Sequence, residues 1–200
     1  PWATAAGPLT ASPPESAPMN IDKTDLQQLI HQYSIEIVPK TLRQISDIRP
    51  WLAPGTEVYV PNLRGHKISD TIDACAQLQS QHMQAVPHLA LRNIASEDEL
   101  RHTLDRITAL GILVLAGGAK EPLGPYGSVK DLMKTGILQT YPFEHIGFAG
   151  HPEGSPDIPP DEQEAAEAQK QGYALTYPHD YYLTTQFCFQ IAPITAWLDR

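Results

Sequence analysis

Basic residues are scarce in this 200-residue chain: Lys and Arg number 14 against 23 Asp and Glu, a formal net charge of −9. That balance leaves no broad footprint for nucleic acid or an anionic membrane surface, so neither is expected as a partner. A polyanionic ligand would need a local basic patch. Cysteine is scarcer still. Cys75 and Cys188 are the only two, with no short metal-type spacing, so reduced, buried thiols are expected rather than a disulfide framework. The eight histidines form no His-x-x-x-His pair, and no metal is expected. Long apolar runs are missing as well: none approaches the ~18 residues of a membrane span, and the first residues lack the basic and apolar regions of a signal peptide. These absences together point to a cytoplasmic protein.

What is present divides the chain unevenly. Residues Pro1 to Pro18 are rich in Pro, Ala, Ser and Thr, a composition that cannot build a core, and are expected to be a disordered extension. The domain proper is expected over Met19 to Arg200, opening with a short helix that Thr24 caps and that runs to Gln32. From Ser34 onward, short apolar runs alternate with amphipathic segments. The spacing predicts strands over Ser34–Val38, Glu57–Val60, Ala85–Leu91, Ile112–Ala116, His145–Ala149 and Tyr181–Phe189. Helices are expected over Thr41–Leu52, Ile68–Gln81, Ser96–Leu110, Ser128–Thr135, Asp161–Gln171 and from Pro193 to the last residue. This alternation implies a parallel α/β architecture. A doubly wound sheet normally shows a glycine-rich turn after its first strand, and Val38-Pro39-Lys40 has none. The expected fold is therefore a (β/α)8 TIM-barrel type with about six βα units present, since a full barrel takes ~250 residues.

In such a barrel, chemistry gathers at the carboxyl ends of the strands, and that rule selects residues. Glu36 alternates with Ile35 and Ile37 and would face inward, where partial desolvation suits a carboxyl group to act as a general acid. His88 lies near the end of the third strand, as a cofactor contact or as a core histidine with satisfied hydrogen bonds. Gly117-Gly118 follow the fourth strand, where backbone NH groups could approach a phosphate or flat ring closely. His151-Pro152-Glu153 form a stiff loop after the fifth. Gln186, in Thr185-Gln186-Phe187-Cys188-Phe189, offers a neutral amide between apolar neighbours, able to pair with the mixed donor and acceptor edge of a pterin or purine.

Taken together, these segments resemble the catalytic barrel of the methylenetetrahydrofolate reductase family, in the family's order and over roughly residues 33 to 200. Ser34-Ile35-Glu36-Ile37-Val38-Pro39 is similar to its opening strand, Pro87-His88-Leu89 to its third, and Tyr126-Gly127-Ser128 to a later flavin contact. Gly150-His151-Pro152-Glu153-Gly154-Ser155-Pro156 resembles its His-Pro loop, and Thr185-Gln186-Phe187-Cys188-Phe189 its Thr-Gln-Phe-Phe-Phe motif. The resemblance implies reduction of methylene- to methyl-tetrahydrofolate through FAD, with NADH or NADPH as electron donor. Glu36 would be the general acid. Gln186, with Phe187 and Phe189 beside it, would bind the folate, while His88, Gly117, Gly118, Tyr126 and His151 would line the flavin site. The expected partner is a small-molecule folate, and self-association into a homo-oligomer stays open.

The chain also departs from the family pattern. Leu115-Ala116-Gly117-Gly118 stands where the family has Leu-Arg-Gly-Asp, His151 replaces a tyrosine, and Ser155 replaces a histidine. The helix before the Gln186 segment carries Glu162, Glu164 and Glu167 where the family has lysines, with Lys170 its basic residue. These departures open a second expectation, a flavin-free relative that binds a folate or other pterin. A third is a truncated barrel without activity.

Overall fold

The computed structural model describes residues 23–24, 33–156 and 158–199. The chain divides into two units, residues 1–33 and 34–200. Of the first, Lys23 and Thr24, both helical, and Tyr33 are described; the expected extension over 1–18 and the remainder of the helix to Gln32 lie outside the described residues.

The second unit is an α/β structure built on one six-stranded, all-parallel sheet in sequential order. The strands are β1 (Ser34–Glu36), β2 (Glu57–Val60), β3 (Gln84–Ala90), β4 (Gly111–Leu115), β5 (His145–Gly150) and β6 (Asp180–Thr185). Between or after them come α1 (Pro39–Leu42), α2 (Ile68–Ser80), α3 (Glu97–Arg106), α4 (Val129–Thr135), α5 (Pro160–Thr176) and α6 (Ile191–Leu198). Parallel neighbours need a crossover, and a helix supplies it each time. No helix among the described residues is long and apolar enough to cross a membrane.

Side-chain alternation sets the two faces of the sheet. Val58, Val60, Leu89, Ile112, Val114, Ile146 and Phe148 are essentially inaccessible, and they pack against the helices. The opposite face carries Glu36, Tyr59, His88, Leu113, Gly147 and Tyr182. It is concave. In a flat sheet β2 and β6 would stand about 19 Å apart, four spacings of ~4.8 Å, with their side chains parallel. Yet the hydroxyls of Tyr59 on β2 and Tyr182 on β6 are 3.2 Å apart, so the sheet curls until side chains of strands four places apart meet. Gly147 permits this. It pairs with Tyr182 across β5 and β6, and a Cβ there would lie 2.5 Å from the tyrosine Cζ.

Local signals explain most boundaries. Ser96 accepts a hydrogen bond from the Glu99 amide at 3.1 Å, and Glu99 returns one by accepting from Ala95 N at 2.7 Å, which starts α3. Asp131 Oδ2 accepts from Ser128 N and Oγ at the start of α4, and Gly136, at φ 68°, ends it. Several expected ends move: β1 stops at Glu36 rather than Val38, α3 at Arg106 rather than Leu110, and α5 runs to Thr176 rather than Gln171. Two corrections are larger. The helix expected from Thr41 to Leu52 stops at Leu42, because the next segment turns: Asp47 holds the Arg49 amide, and the buried Gln81 carboxamide takes the Ile48 amide at 2.7 Å. The last strand stops at Thr185 rather than Phe189, so Gln186 lies in the segment that follows β6.

Candidate functional site

Because every strand runs the same way, all carboxyl ends open on one side of the sheet. Glu36 ends β1, His88 is two residues short of the end of β3, Gly117 and Gly118 follow β4, His151 follows β5 and Gln186 follows β6. Geometry brings two of these together. Glu36 Oε2 lies 3.8 Å from His88 Nε2, across the intervening β2. Glu36 keeps 57% of its side chain exposed, whereas His88 keeps 10%. Burial holds the His88 imidazole down at about 4, so it is neutral at pH 7 and the pair is not an ion pair. At 3.8 Å the two are not hydrogen-bonded either, and His88 Nε2 is a buried nitrogen without a partner among protein atoms. The edge of the His88 ring meets Tyr59, with centroids 5.9 Å apart. Burial raises the Tyr59 hydroxyl, and that of Tyr182 too, so both phenols inside the curl are uncharged at pH 7.

Between α4 and α5, at the same end of the sheet, lies a cavity of about 390 Å³, lined in part by Arg92, Ser128, Lys130, His151, Glu162 and Lys170. Three cations against Glu162 line it, a basic cluster in an acidic chain, partly offset by Glu167 beside Lys170 and by Asp131 on Ser128. Arg92 follows β3 directly; its Nε donates to Gly127 O at 2.8 Å and a terminal nitrogen to Ala119 O at 2.9 Å, so it staples the long loop after β4. Lys170 reaches from α5 to donate to Ala149 O at 2.7 Å. Burial lowers the amine of Lys170, opposed by Glu167, and burial, helped by Lys170, lowers His151.

No family model matches the chain.

The other expected site residues fall in different surroundings. Gly117 has φ 92°, and a Cβ there would stand 3.2 Å from Ala90 Cβ, so the turn needs glycine. Gly118 faces open space. Tyr126 is buried in the core at 2% exposure, with Leu100, Leu104 and Leu132; its neighbours Gly127 and Ser128 line the basic cavity instead. Gln186 is exposed, not enclosed, and its backbone N–H donates to Gly150 O at 3.1 Å. Phe187 and Phe189 are 90% and 80% exposed and stack on each other at 5.9 Å. Arg92 was legible under the rule that sites follow strand ends, since Leu91-Arg92-Asn93 comes straight after β3. Tyr59 and Tyr182 had no such signal, because their meeting depends on how far the sheet curls.

Proposed function

We propose that this chain is a divergent barrel of the methylenetetrahydrofolate reductase type, acting on a folate at the methylene-to-methyl oxidation level. The observation that carries the reading is the approach of Glu36 to His88, two residues of separate motifs that meet at one mouth. In the reductase chemistry the residue at this position gives a proton to the folate nitrogen as the methylene bridge opens; Glu36, more than half exposed beside the His88 imidazole, would fill that role once a bound ligand displaces solvent from it. Gln186, at the same end, offers donors and an acceptor to the pterin edge.

The basic cavity supports a phosphate-bearing cofactor such as FAD. Its volume is within the range of small-molecule sites, and Arg92, Lys130 and Lys170 supply positive charge that the Leu115-Ala116-Gly117-Gly118 turn does not. A bound reduced flavin would supply hydride, and NADH or NADPH the electrons behind it. The residues of this chain would hold phosphate oxygens with Lys130 and Lys170, while the Ser128 hydroxyl stays with Asp131 and only shapes the wall.

Closure of the curled sheet into a (β/α)8 barrel belongs to this proposal. Two further βα units beside β6 would complete the eight, and the exposure of Phe187, Phe189, Ile191 and Leu198 supports their docking there.

A second reading, a flavin-free folate binder, draws on Glu162 in the cavity and on the commitment of the Lys170 amine to Ala149 O. One measurement separates the two. Purified protein that shows flavin absorption bands, or acquires them on titration with FAD and loses them in Lys170→Glu, supports the reductase; colourless protein that takes up no FAD overturns it. Calorimetry with methyl-tetrahydrofolate then tests the folate reading, with Gln186→Ala as the control: heat abolished by that substitution supports it, and no heat with the unmodified chain removes both.

A further inference from the structure

The loop after β5 and the segment after β6 are joined by a single side chain. Glu153 Oε1 accepts hydrogen bonds from two successive backbone amides, Phe189 N at 2.5 Å and Gln190 N. Those amides are the last before α6, whose first turn contains no acidic residue of its own, so the carboxylate also lies at the positive end of that helix. At the other end of the segment, Gln186 N donates to Gly150 O at 3.1 Å. The four residues Gln186 to Phe189 are thus pinned at both ends to the loop that begins at Gly150. That loop is itself fixed from α5: Gln163 Nε2 donates to His151 O at 2.6 Å and Lys170 Nζ to Ala149 O at 2.7 Å.

We infer that Glu153 is a positioning residue, whose carboxylate fixes the segment that presents Gln186 at the mouth of the sheet. The inference rests on the folate reading for what Gln186 touches, but the anchoring itself does not depend on it. The chemistry of the side chain suits this role, since one oxygen with two lone pairs can accept both amides, and a carboxylate makes the stronger, charge-assisted kind of bond. Two amides held this way cannot pair with a strand, because the chain has already left β6 at Thr185. Glu153 Oε1 is the acceptor that Phe189 N and Gln190 N share, so their order depends on this carboxylate. A glutamate whose oxygen is occupied by backbone amides is also poorly placed to act as an acid or base, which separates its role from that of Glu36.

The test is amide hydrogen exchange on the full chain, read at Phe189 and Gln190, with Glu153→Ala and Glu153→Gln. Glu153→Ala removes the acceptor and is expected to speed exchange at those amides about tenfold or more, leaving Ile146 to Phe148 unchanged. Glu153→Gln keeps an oxygen acceptor and is expected to restore most of the protection. Unchanged exchange at Phe189 and Gln190 in Glu153→Ala overturns the inference. Where the unmodified chain binds methyl-tetrahydrofolate, Glu153→Ala should weaken binding about tenfold and add little once Gln186→Ala is present; full affinity despite fast exchange also overturns it. A chain that binds no folate sinks the functional reading, while the exchange result still decides whether Glu153 is the anchor.

Discussion

The centre of the sheet and its last strand are built on opposite terms. From β3 to β5, Leu89, Ile112, Val114, Ile146 and Phe148 are at most 1% exposed, and the helix layer covers them. From β6 onward, Leu183, Phe187, Phe189, Ile191 and Leu198 are 42–90% exposed, and α6 has no buried residue at all. The last strand is the more polar, with Asp180, Thr184 and Thr185, yet the apolar side chains that it and the following segment carry lie uncovered. Parallel strands are read as apolar on both faces because helices are expected on them, and a last strand without a further unit keeps the pattern but loses the cover. Stability should therefore reside in the centre, while the end of the sheet carries surface and the candidate ligand contact Gln186.

The largest expected effect tests the central region. Phe148 stacks on Tyr181 at 6.0 Å and meets Tyr173 edge-on at 6.2 Å, with 1% exposure. Phe148→Ala should cost about 3–5 kcal/mol in chemical denaturation, the range for emptying a closed aromatic site. A loss below about 1 kcal/mol would show that the centre is not the close-packed region it is taken to be.

The next effect depends on pH. Burial brings His88 from 6.5 down to about 4, so below pH 6.5 the unfolded chain takes up a proton that the folded chain refuses. The contribution is full above pH 6.5 and is lost progressively as pH falls towards 4. Its size is roughly 3 kcal/mol at most. Stability of His88→Gln should accordingly decline less between those pH values than that of the unmodified chain. Parallel profiles would mean that His88 titrates in the fold as it does unfolded, and a steeper decline of His88→Gln would mean that the imidazole is held protonated against Glu36.

A smaller effect lies on the seam between the two regions. Gly147→Ala would place a methyl group against the Tyr182 ring, 2.5 Å from Cζ, and should cost about 1–3 kcal/mol. Gly118→Ala is the matched control, because nothing lies within 4 Å of its Cβ and its φ is not in the left-handed region. If the curl hinges on this pair, Tyr182→Ala in the Gly147→Ala background should recover much of the loss. Additive costs would locate the curl elsewhere.

The alternation of apolar runs was enough to place all six strands and their parallel order, because burial on the helix side leaves a continuous apolar signature. Glu57–Val60 falls where its pattern puts it, β3 and β4 shift by one residue at both ends, β5 runs one residue further, and β1 stops two residues early at Glu36. The largest difference is at the end of the last strand. Thr185 to Phe189 is rich in strand-forming residues, yet pairing stops at Thr185, since β5 ends opposite it at Gly150 and no partner continues the ladder. The site was legible in part for a similar reason. Glu36, His88 and Gln186 could be nominated from strand ends, but the Tyr59–Tyr182 contact and the capture of the Phe189 and Gln190 amides by Glu153 join residues far apart in the chain. Neither leaves a local pattern.

The smallest expected effect sharpens the comparison most. Phe187 and Phe189 touch chiefly each other, stacked at 5.9 Å with their rings in solvent, so truncating them exposes no core and opens no cavity. Replacing both with Ser should change stability by no more than about 1 kcal/mol, the scale of one aromatic pair, against the 3–5 kcal/mol expected at Phe148. Sedimentation should show less self-association in the double variant, because a large exposed apolar patch is a surface for association. A cost near that of Phe148→Ala would reverse the assignment. It would mean that the patch is covered in solution, and that the end of the sheet is core after all.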